Sequence, residues 1–333
     1  MKVAIWGSGI AASGCAQLLA RQNIETMMIP VPRAPAPVVL LSDPARALLC
    51  DVFADQTIFA HCPRVTRRIV AWGDGDPVAL PHEGAILLPD DLDTLRPPVT
   101  ALPGDPDGSE AMTVHTAAPF PSGDARRFGT RMASAVAVAL RFPDDATVCW
   151  IEAVEGGWLF LIPLDAQQAW LLCVGDGPQA LLDQSRHISA RVGDMHGASA
   201  QFDVSPRLLT TLQGRGWLAC GTAAIAFDPI CGDGTAQALR EAILASAIVA
   251  ATRDGGDAQA LRCHHESMFI AAMRRHLKLC FDFYQRGGKG PWWQAQLADI
   301  AEGFDWCTAR LATLPEPRYH LRGFNLIERE AVT

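Results

Sequence analysis

The chain has 333 residues, of which 49% are apolar and 19% are charged, and its net charge at pH 7 is −8. A chain of this length buries a large core, and the spread of Gly and Pro along it excludes disordered and fibrous classes. The negative charge argues against a nucleic-acid partner, because binding a phosphate backbone needs a concentrated basic surface, so the expected partner is a small molecule or a peptide.

Ten cysteines are scattered along the chain, without a C-x-x-C pair and without metal-ligand spacing to a histidine. The sequence therefore predicts no zinc or iron–sulfur site. Isolated thiols are typical of small buried residues in a reducing compartment, so we expect a cytoplasmic protein. No uninterrupted apolar run reaches the roughly 18 residues of a membrane-spanning helix, and we expect no membrane partner.

The first thirty residues have the pattern of a βαβ unit. An apolar run over 2–6 is followed by a glycine turn, by an alanine- and leucine-rich stretch over 10–21 and by a second apolar run over 26–29. Units of this kind form parallel sheets with helices packed on their faces. The sequence therefore predicts an α/β fold that begins with two parallel strands and the helix between them.

Short apolar runs separated by Gly, Asp and Pro predict a mixed or antiparallel sheet in the middle of the chain. Its predicted strands cover 69–72, 78–80, 85–88, 133–141, 147–154, 158–162 and 169–174. We further predict an extended segment over 30–37, a helix over 45–52, a linker over 97–108, a strand over 216–220 and a long helix over 235–253. From residue 258 onward the pattern is mainly helical, with a break at 287–291.

Residues 7–12 match the dinucleotide-binding pattern G-x-G-x-x-A. In this pattern Gly7 permits a tight turn, Gly9 leaves room for a pyrophosphate against the backbone, and the small Ala12 lets the helix pack closely on the strand. The helix start at Ile10 and Ala11 offers free amide groups to the anion. Because a strand precedes the motif and a helix follows it, we favour a dinucleotide site over an ordinary tight βα turn.

A second glycine-rich motif stands in front of the long helix over 235–253. Residues 217–224 read WLACGTAA, and residues 227–235 read FDPICGDGT. Gly232 and Gly234 allow a ligand to approach the backbone closely, and the helix that begins near Thr235 directs its positive end at that ligand. The alternative is a glycine-rich helix cap without a ligand.

Together the two motifs resemble the flavin-binding signatures of aromatic-ring hydroxylases and flavin-dependent halogenases, in which the second signature is G-D-A-A followed by D-P-x-x-G-x-G. Residues 127–140 and 151–164 are also similar to the substrate-domain sheet of those flavoproteins. The nearest resemblance is to FAD-dependent proteins that oxidise tryptophan side chains during maturation of quinone-cofactor enzymes. It implies an FAD cofactor whose pyrimidine ring lies at the start of the long helix.

The resemblance also implies a division of the chain. A discontinuous Rossmann-type FAD domain with a parallel sheet would cover 1–60, 100–125 and 205–255, an inserted mixed or antiparallel β-sheet substrate domain would cover 61–99 and 126–204, and a helical C-terminal region would cover 256–333. The implied cofactor-binding residues are Gly7, Gly9, Ile10, Ala11, Ala12, Arg46, Gly221, Thr222, Asp228, Pro229, Gly232, Asp233, Gly234 and Thr235.

Two departures from these relatives affect cofactor binding. Where they end the second strand with an acidic residue for the adenosine ribose, this chain has Ile29 and Pro30, and Thr222 stands in place of the aspartate of G-D-A-A. A charge-assisted hydrogen bond contributes about 1.5 to 3 kcal/mol and a neutral one about 1 kcal/mol, so both changes together weaken binding by roughly ten- to a thousandfold. We therefore expect loosely held FAD.

The activity that the resemblance implies is monooxygenation of an electron-rich aromatic, such as tryptophan or peptidyl tryptophan, through a flavin C4a-hydroperoxide. Halogenation is disfavoured, because halogenases use a lysine in the N-terminal half, whereas this chain has lysine only at positions 2, 278 and 289. Their W-x-W-x-I-P signature is also altered to WLFLIP at 158–163. A further alternative is a non-catalytic, flavoprotein-like scaffold that binds a peptide or a partner and has weakened FAD affinity.

No second glycine fingerprint for NAD(P)H is present, so electrons are expected from a transiently docked reductant or from a separate flavin reductase. Aromatic side chains are the expected walls of a substrate site, although each of them more often packs in a core: Trp158, Phe160, Phe227, Trp292 and Trp293. Glu152 and His61 are candidate acid–base groups and Phe160 is a further catalytic candidate, although no motif supports them and a lone Glu on a strand is more often solvated.

Overall fold

The computed structural model describes residues 1–32, 36–96, 112–232 and 234–329. Its helices, numbered in chain order, are α1 Ile10–Arg21, α2 Asp43–Phe53, α3 Pro89–Asp93, α4 Pro178–Gln184, α5 Gly234–Arg253, α6 Ala258–Gly287 and α7 Pro291–Ala312. Its strands are β1 Lys2–Trp6, β2 Glu25–Ile29, β3 Val39–Ser42, β4 Arg64–Ala71, β5 Val78–Leu87, β6 Met112–His115, β7 Ala125–Arg127, β8 Met132–Leu140, β9 Val148–Val154, β10 Gly157–Pro163, β11 Gln168–Gly175, β12 Val192–Asp203, β13 Arg207–Leu209, β14 Gln213–Gly214, β15 Trp217–Ala219, β16 Ile225–Ala226, β17 Tyr319–Arg322 and β18 Asn325–Glu328.

The first sheet has the strand order β14-β15-β6-β1-β2, and all of its neighbours are parallel except β14 and β15. Parallel strands end at the same edge of a sheet, and ligands of open α/β sheets bind outside those carboxyl ends. The turns after β1, β6 and β15 therefore meet at one edge, which brings the two glycine-rich motifs toward each other.

Helices α1 and α5 pack closely against each other beside this sheet. Small residues make that approach possible: a Cβ at Gly14 of α1 would lie 2.8 Å from Leu239 Cδ1 and 3.2 Å from Ala242 Cβ of α5. Both helices begin at the sheet edge where β1 and β15 end. Their positive ends therefore lie near the same edge.

The second sheet has the order β12-β8-β11-β10-β9-β4-β5-β3 and is antiparallel except between β4 and β9. Every residue of β10 is buried, and its side chains alternate between the two faces. Trp158, Phe160 and Ile162 belong to the core that includes the C-terminal helices, whereas Leu159 and Leu161 belong to a separate core with Leu181 of α4.

The predicted α/β fold, with one parallel and one mixed sheet, is confirmed. The predicted strands over 78–80 and 85–88 form the single strand β5, in which a register shift beside Pro81 accommodates the missing N–H. The pattern did not predict β3, β6, β12 or the C-terminal hairpin of β17 and β18. No helix in the described part of the chain is both long and apolar enough to cross a bilayer.

Candidate functional site

A cavity of about 600 Å³ lies at the carboxyl edge of the first sheet and reaches the second sheet. Gly9 of the first motif and Gly232 of the second motif both line it, although they are more than two hundred residues apart in sequence. Phe160 and Ile162 of β10 form part of its wall. The volume is in the range of small-molecule and cofactor sites.

The first motif presents the start of α1 to this cavity. Gly9 is the N-cap residue, no side chain caps the helix, and its first turn contains no acidic residue. Ile10 and Ala11 line the cavity. The first amides of a helix have no acceptor within the helix, so this end of α1 is suited to hold an anion such as a pyrophosphate.

Gly7 makes the turn that aims α1 in this way. Its φ of +133° is a conformation that side chains rarely adopt, and a Cβ at this position would overlap the hydroxyl of Thr116. That hydroxyl donates to the carbonyl of Trp6 at 2.8 Å, which fixes the end of β1 against the turn after β6. Gly7 therefore determines the shape of the turn beside the cavity, although Gly7 itself does not line the cavity.

The second motif forms a short 3-10 turn, Pro229–Cys231, before α5 begins. Gly232 ends this turn in the left-handed region with φ +60°, and a Cβ there would meet only Arg68 Nη2, at 4.0 Å. Gly234 and Thr235 line the cavity, and the first turn of α5 has no acidic residue. A second positive helix end therefore borders the same cavity.

Asp228 anchors this loop from a fully buried position. Its carboxylate accepts from Arg131 Nη1 at 2.9 Å, from the Tyr284 hydroxyl at 2.6 Å and from the Ile230 amide at 2.9 Å. The Asp228 amide donates to His276 Nε2 at 2.8 Å. The carboxylate oxygens are thus directed at the protein interior, so Asp228 positions the loop and its side chain is not presented to a ligand.

Burial disfavours the charge of Arg131, but Tyr284 and Asp228 raise its pKa above the ordinary value. Burial raises the pKa of Tyr284 well above its usual range, so the hydroxyl stays protonated and donates a hydrogen bond to Asp228. Gln296 Oε1 accepts from Arg131 Nε at 2.8 Å. This network connects the second motif to α6 and α7.

Thr222 lines the cavity directly after β15, at the position where relatives have an aspartate. Behind it, the buried Glu241 of α5 accepts from Gln237 Nε2 at 2.8 Å. Burial raises the pKa of Glu241 to about 8.

The wall nearest the second sheet is apolar. Phe160, Ile162 and Leu172 contribute to it, and Phe227 lines the adjoining part. The Phe227 ring stacks on the His276 ring with centroids 4.2 Å apart. An aromatic molecule could contact these surfaces through its faces and edges.

Both predicted acid–base groups lie away from this cavity. The carboxylate of Glu152 is buried and accepts from Ser185 Oγ at 2.6 Å and from the amides of Arg186 and Ile188 at 2.7 and 2.8 Å. Glu152 is therefore held in the protein interior, whereas a lone Glu on a strand is more often solvated. The side chain of His61 is 74% exposed, with Nε2 3.6 Å from Asp91.

The three tryptophans predicted as substrate walls pack instead in a core beside the site. Trp158 and Trp293 are fully buried, and Trp292 stacks on Tyr284 with centroids 5.9 Å apart. The indole of Trp158 donates to the Tyr284 hydroxyl at 3.2 Å, and that of Trp293 donates to the Val154 carbonyl at 2.9 Å. Burial and hydrogen bonding explain the positions of Trp158 and Trp293, since the indole N–H of each finds its partner in the core.

The remaining predicted cofactor residues fall into three groups. The cavity is lined by Gly9, Ile10, Ala11, Thr222, Asp228, Pro229, Gly232, Gly234 and Thr235. Packing positions behind the wall are taken by Gly7, Ala12 and Gly221. Arg46 instead donates to the carbonyls of Ile58 and Gln56 at 2.7 and 3.0 Å, which fastens the loop after α2, and Asp233 lies outside the described residues.

Sequence reasoning missed a large part of the cavity wall. The missed residues come from the segment after β2, from β3, from α3 and the turn after it, and from β11: Val31, Pro32, Ala36, Val38, Val39, Leu40, Leu41, Leu92, Asp93, Arg96 and Leu172. Alternation along β10 could have identified Ile162, because it shares a face with Phe160. Cys231 lies within the second motif and lines the cavity as well, although the motif pattern assigns no role to its position.

No protein-family model matches the chain, and no curated protein matches it. Solved structures do match. The flavin-dependent halogenase CmlS superposes with a TM-score of 0.73 at 16% identity, covering 93% of this chain and 71% of CmlS. The peptidyl tryptophan dihydroxylase QhpG, essential for tryptophylquinone cofactor biogenesis, gives 0.66 at 18% identity, covering 98% and 86%. The p-nitrophenol 4-monooxygenase PnpA from Pseudomonas putida gives 0.64 at 15% identity, covering 93% and 94%. The chain therefore has the fold of flavin-dependent halogenases and aromatic monooxygenases.

Proposed function

We propose that this chain is an FAD-dependent monooxygenase that hydroxylates an electron-rich aromatic substrate, with the tryptophan side chain, free or within a peptide, as the preferred class. One observation carries the proposal: Gly9 and Gly232, from two distant motifs, line a single cavity together with two helix starts. Both helix ends are positive and lack acidic residues in their first turns, which suits a negatively charged dinucleotide.

The residues of the cavity fit the parts of FAD. The start of α1 would hold the pyrophosphate, Thr222 would bond the ribityl chain, and the loop around Gly232 would border the isoalloxazine ring. The positive end of α5 would favour negative charge on the reduced ring. The bound cofactor supplies the activation of dioxygen, and the protein has to position the rings and exclude water.

The lysines of the chain favour oxygenation over halogenation. Lys2, Lys278 and Lys289 have side chains that are 62%, 66% and 91% exposed, and each is in a surface ion pair. None of the three borders the described cavity. A halogenase-type reaction would therefore lack the lysine that directs the oxidised halide.

The apolar wall supports an aromatic substrate. Phe160 and Phe227 both border the cavity, together with Ile162 of β10 and Leu172 of β11. Such a surface binds a flat apolar ring through dispersion and edge-to-face contacts. The similarity in fold to QhpG, a peptidyl tryptophan dihydroxylase, agrees with a preference for the tryptophan ring.

The test is oxygen transfer by the reconstituted protein. Purified protein with FAD, a flavin reductase and NADH would be incubated under isotopically labelled dioxygen with tryptophan and with a tryptophan-containing peptide. We expect the mass of one labelled oxygen atom in the product of at least one of them. Chloride or bromide added to the same reaction should not appear in the product. A halogenated product would establish the halogenase alternative, and absence of both products with FAD bound would favour the non-catalytic scaffold.

A further inference from the structure

Two cysteines and a histidine form a buried cluster beside the second motif. Cys231 Sγ lies 3.5 Å from His276 Nδ1, and Cys280 Sγ lies 3.3 Å from His276 Nε2. The ligand atoms of all three side chains lie within 4.8 Å of one another. Cys231 lines the cavity, whereas Cys280 of α6 is fully buried behind it.

A metal site is the first interpretation of such a cluster, but the tautomer of His276 argues against it. Its Nε2 accepts from the Asp228 amide at 2.8 Å, so Nε2 carries the lone pair and Nδ1 carries the hydrogen. Nδ1 is the ring atom that faces Cys231. A metal bound to Nδ1 would displace that hydrogen. Nε2 could not take the hydrogen up, because it already accepts from the Asp228 amide. The imidazole would therefore have to lose both of its protons.

We propose that Cys231 and Cys280 are a redox-active thiol pair that peroxide oxidises to a disulfide. The two sulfur atoms lie within 4.8 Å of each other. The bond would connect the cavity loop before α5 directly to α6. No other cysteine lies within the cavity wall among the described residues.

The two thiols have different roles in this reaction because only one of them is accessible. The Cys231 thiolate attacks one oxygen of hydrogen peroxide: an S–O bond forms, the O–O bond breaks, and hydroxide leaves and takes up a proton as water. The sulfur of Cys280 then attacks the sulfenic sulfur of Cys231. The S–S bond forms, the S–O bond breaks, and the departing hydroxide takes the Cys280 proton as a second water.

The positions of the thiols agree with this order. His276 Nδ1, which carries the ring hydrogen, lies 3.5 Å from the Cys231 sulfur, and Cys231 lines the cavity through which peroxide enters. Burial raises the pKa of the Cys280 thiol well above its ordinary value, which keeps it protonated until the sulfenic acid forms next to it. Cys231 is therefore the attacking thiol and Cys280 the resolving one.

A second close pair of cysteines provides a control within the same molecule. Cys15 and Cys220 have sulfurs 3.9 Å apart, but both are fully buried and neither lines the cavity. If proximity alone decided oxidation, this pair would react as readily as Cys231 and Cys280. If access through the cavity decides it, Cys231 and Cys280 react and Cys15 and Cys220 do not.

One consequence rests on the proposed function. FAD in the cavity would cover Cys231, so the cofactor should protect the pair from peroxide. Oxidation would then be confined to protein that has lost its flavin. This consequence can fail independently of the thiol chemistry, because the disulfide requires no flavin.

The experiment treats the full-length protein with hydrogen peroxide, with and without saturating FAD, blocks free thiols and digests it with trypsin without reduction. Cleavage after Arg215, Arg240, Lys278 and Arg286 places Cys231 in the peptide 216–240 and Cys280 in the peptide 279–286. We expect a cross-link between these two peptides that a reductant removes. It should be absent from Cys231→Ser and from Cys280→Ser, and FAD should slow its formation at least fivefold.

Several results overturn the proposal. One is that peroxide-treated wild-type protein gives no 216–240 to 279–286 cross-link, or gives it unchanged in Cys231→Ser. Another is that the peptide 3–21, which contains Cys15, joins 216–240 at the same rate. Stoichiometric zinc that is lost in Cys280→Ser would establish the metal site instead. A cross-link that forms equally fast with FAD supports the thiol pair and contradicts the proposed flavin position.

Discussion

Arg131 and Asp228 form a salt bridge of 2.9 Å in which both side chains are completely buried. It connects the segment before β8 to the second motif, and Tyr284 and Gln296 complete its hydrogen bonds from α6 and α7. A buried pair of this kind contributes modestly as a unit, because desolvation offsets the attraction, but removal of one partner leaves an uncompensated charge. The shape of the cavity loop therefore depends on buried side chains whose hydrogen bonds all lie within the protein.

Asp228→Asn should lower the free energy of unfolding by about 3 to 5 kcal/mol, since Arg131 would remain buried without its counter-charge. Urea denaturation followed by far-ultraviolet circular dichroism measures this. The matched control is Asp74→Asn, which breaks the exposed pair with Lys289 and should cost under about 1 kcal/mol. Equal losses in the two variants would contradict the structural role of the buried pair.

Glu152→Gln should lower stability by about 1 to 3 kcal/mol and leave FAD affinity unchanged, because the carboxylate holds the loop at Ser185 to Ile188 outside the cavity. The exposed Glu155→Gln is the control and should be neutral. Urea denaturation and a flavin titration check the two parts. Intact stability combined with lost turnover would return Glu152 to a catalytic role.

Glu241→Gln should change how stability depends on pH. The pKa of Glu241 is raised from 4.5 to about 8 in the folded protein, so the folded state binds a proton that the unfolded state releases. The contribution of Glu241 to stability is therefore fully present below its unfolded pKa and decreases, by up to about 1.4 kcal/mol per pH unit, as pH rises toward about 8.

The stability of the Gln variant minus that of the wild type should accordingly increase between about pH 5 and about pH 8. The difference is the useful quantity, because His265 and His276, whose pKa burial lowers to about 3, give the opposite slope at acid pH in both proteins. Urea denaturation across this range measures it. A difference that does not vary with pH would show that Glu241 is ionised in the folded state.

Thr222→Asp should tighten FAD binding by about tenfold, because a charge-assisted hydrogen bond to the ribityl chain would replace a neutral one. Thr222→Val keeps the shape and removes the hydroxyl, so it should weaken binding by about fivefold. Quenching of FAD fluorescence gives both affinities. If neither variant differs from the wild type, the ribityl chain does not lie at position 222.

The sequence alone predicted those parts of the site that depend on residues close together in the chain. The turn at Gly7, the helix start at Gly9 and the loop at Gly232 follow from backbone requirements within a few residues, and a recognisable order of strand, turn and helix surrounds them. Their meeting at one cavity also follows, since parallel strands end at a common edge.

Side-chain directions could not be predicted in the same way, because distant partners decide them. Glu152 turns into the interior since amides more than thirty residues later need an acceptor, and Trp158 bonds to Tyr284, which lies 126 residues further along the chain. Strand β6 is only four residues long, which is too short for a recognisable hydrophobic pattern. Its extended conformation depends on pairing with β1 and β15, which its own sequence does not indicate.

The central claim is that two distant loops hold one FAD molecule. Titration of FAD into Gly9→Asp and Gly234→Asp tests it, because each places a carboxylate at a helix start that borders the cavity. Gly177→Asp is the control: Gly177 caps α4, a Cβ there meets nothing within 4 Å, and it does not line the cavity. The account predicts at least tenfold weaker FAD binding in both cavity variants and wild-type binding in the control. Wild-type affinity in either cavity variant would contradict it.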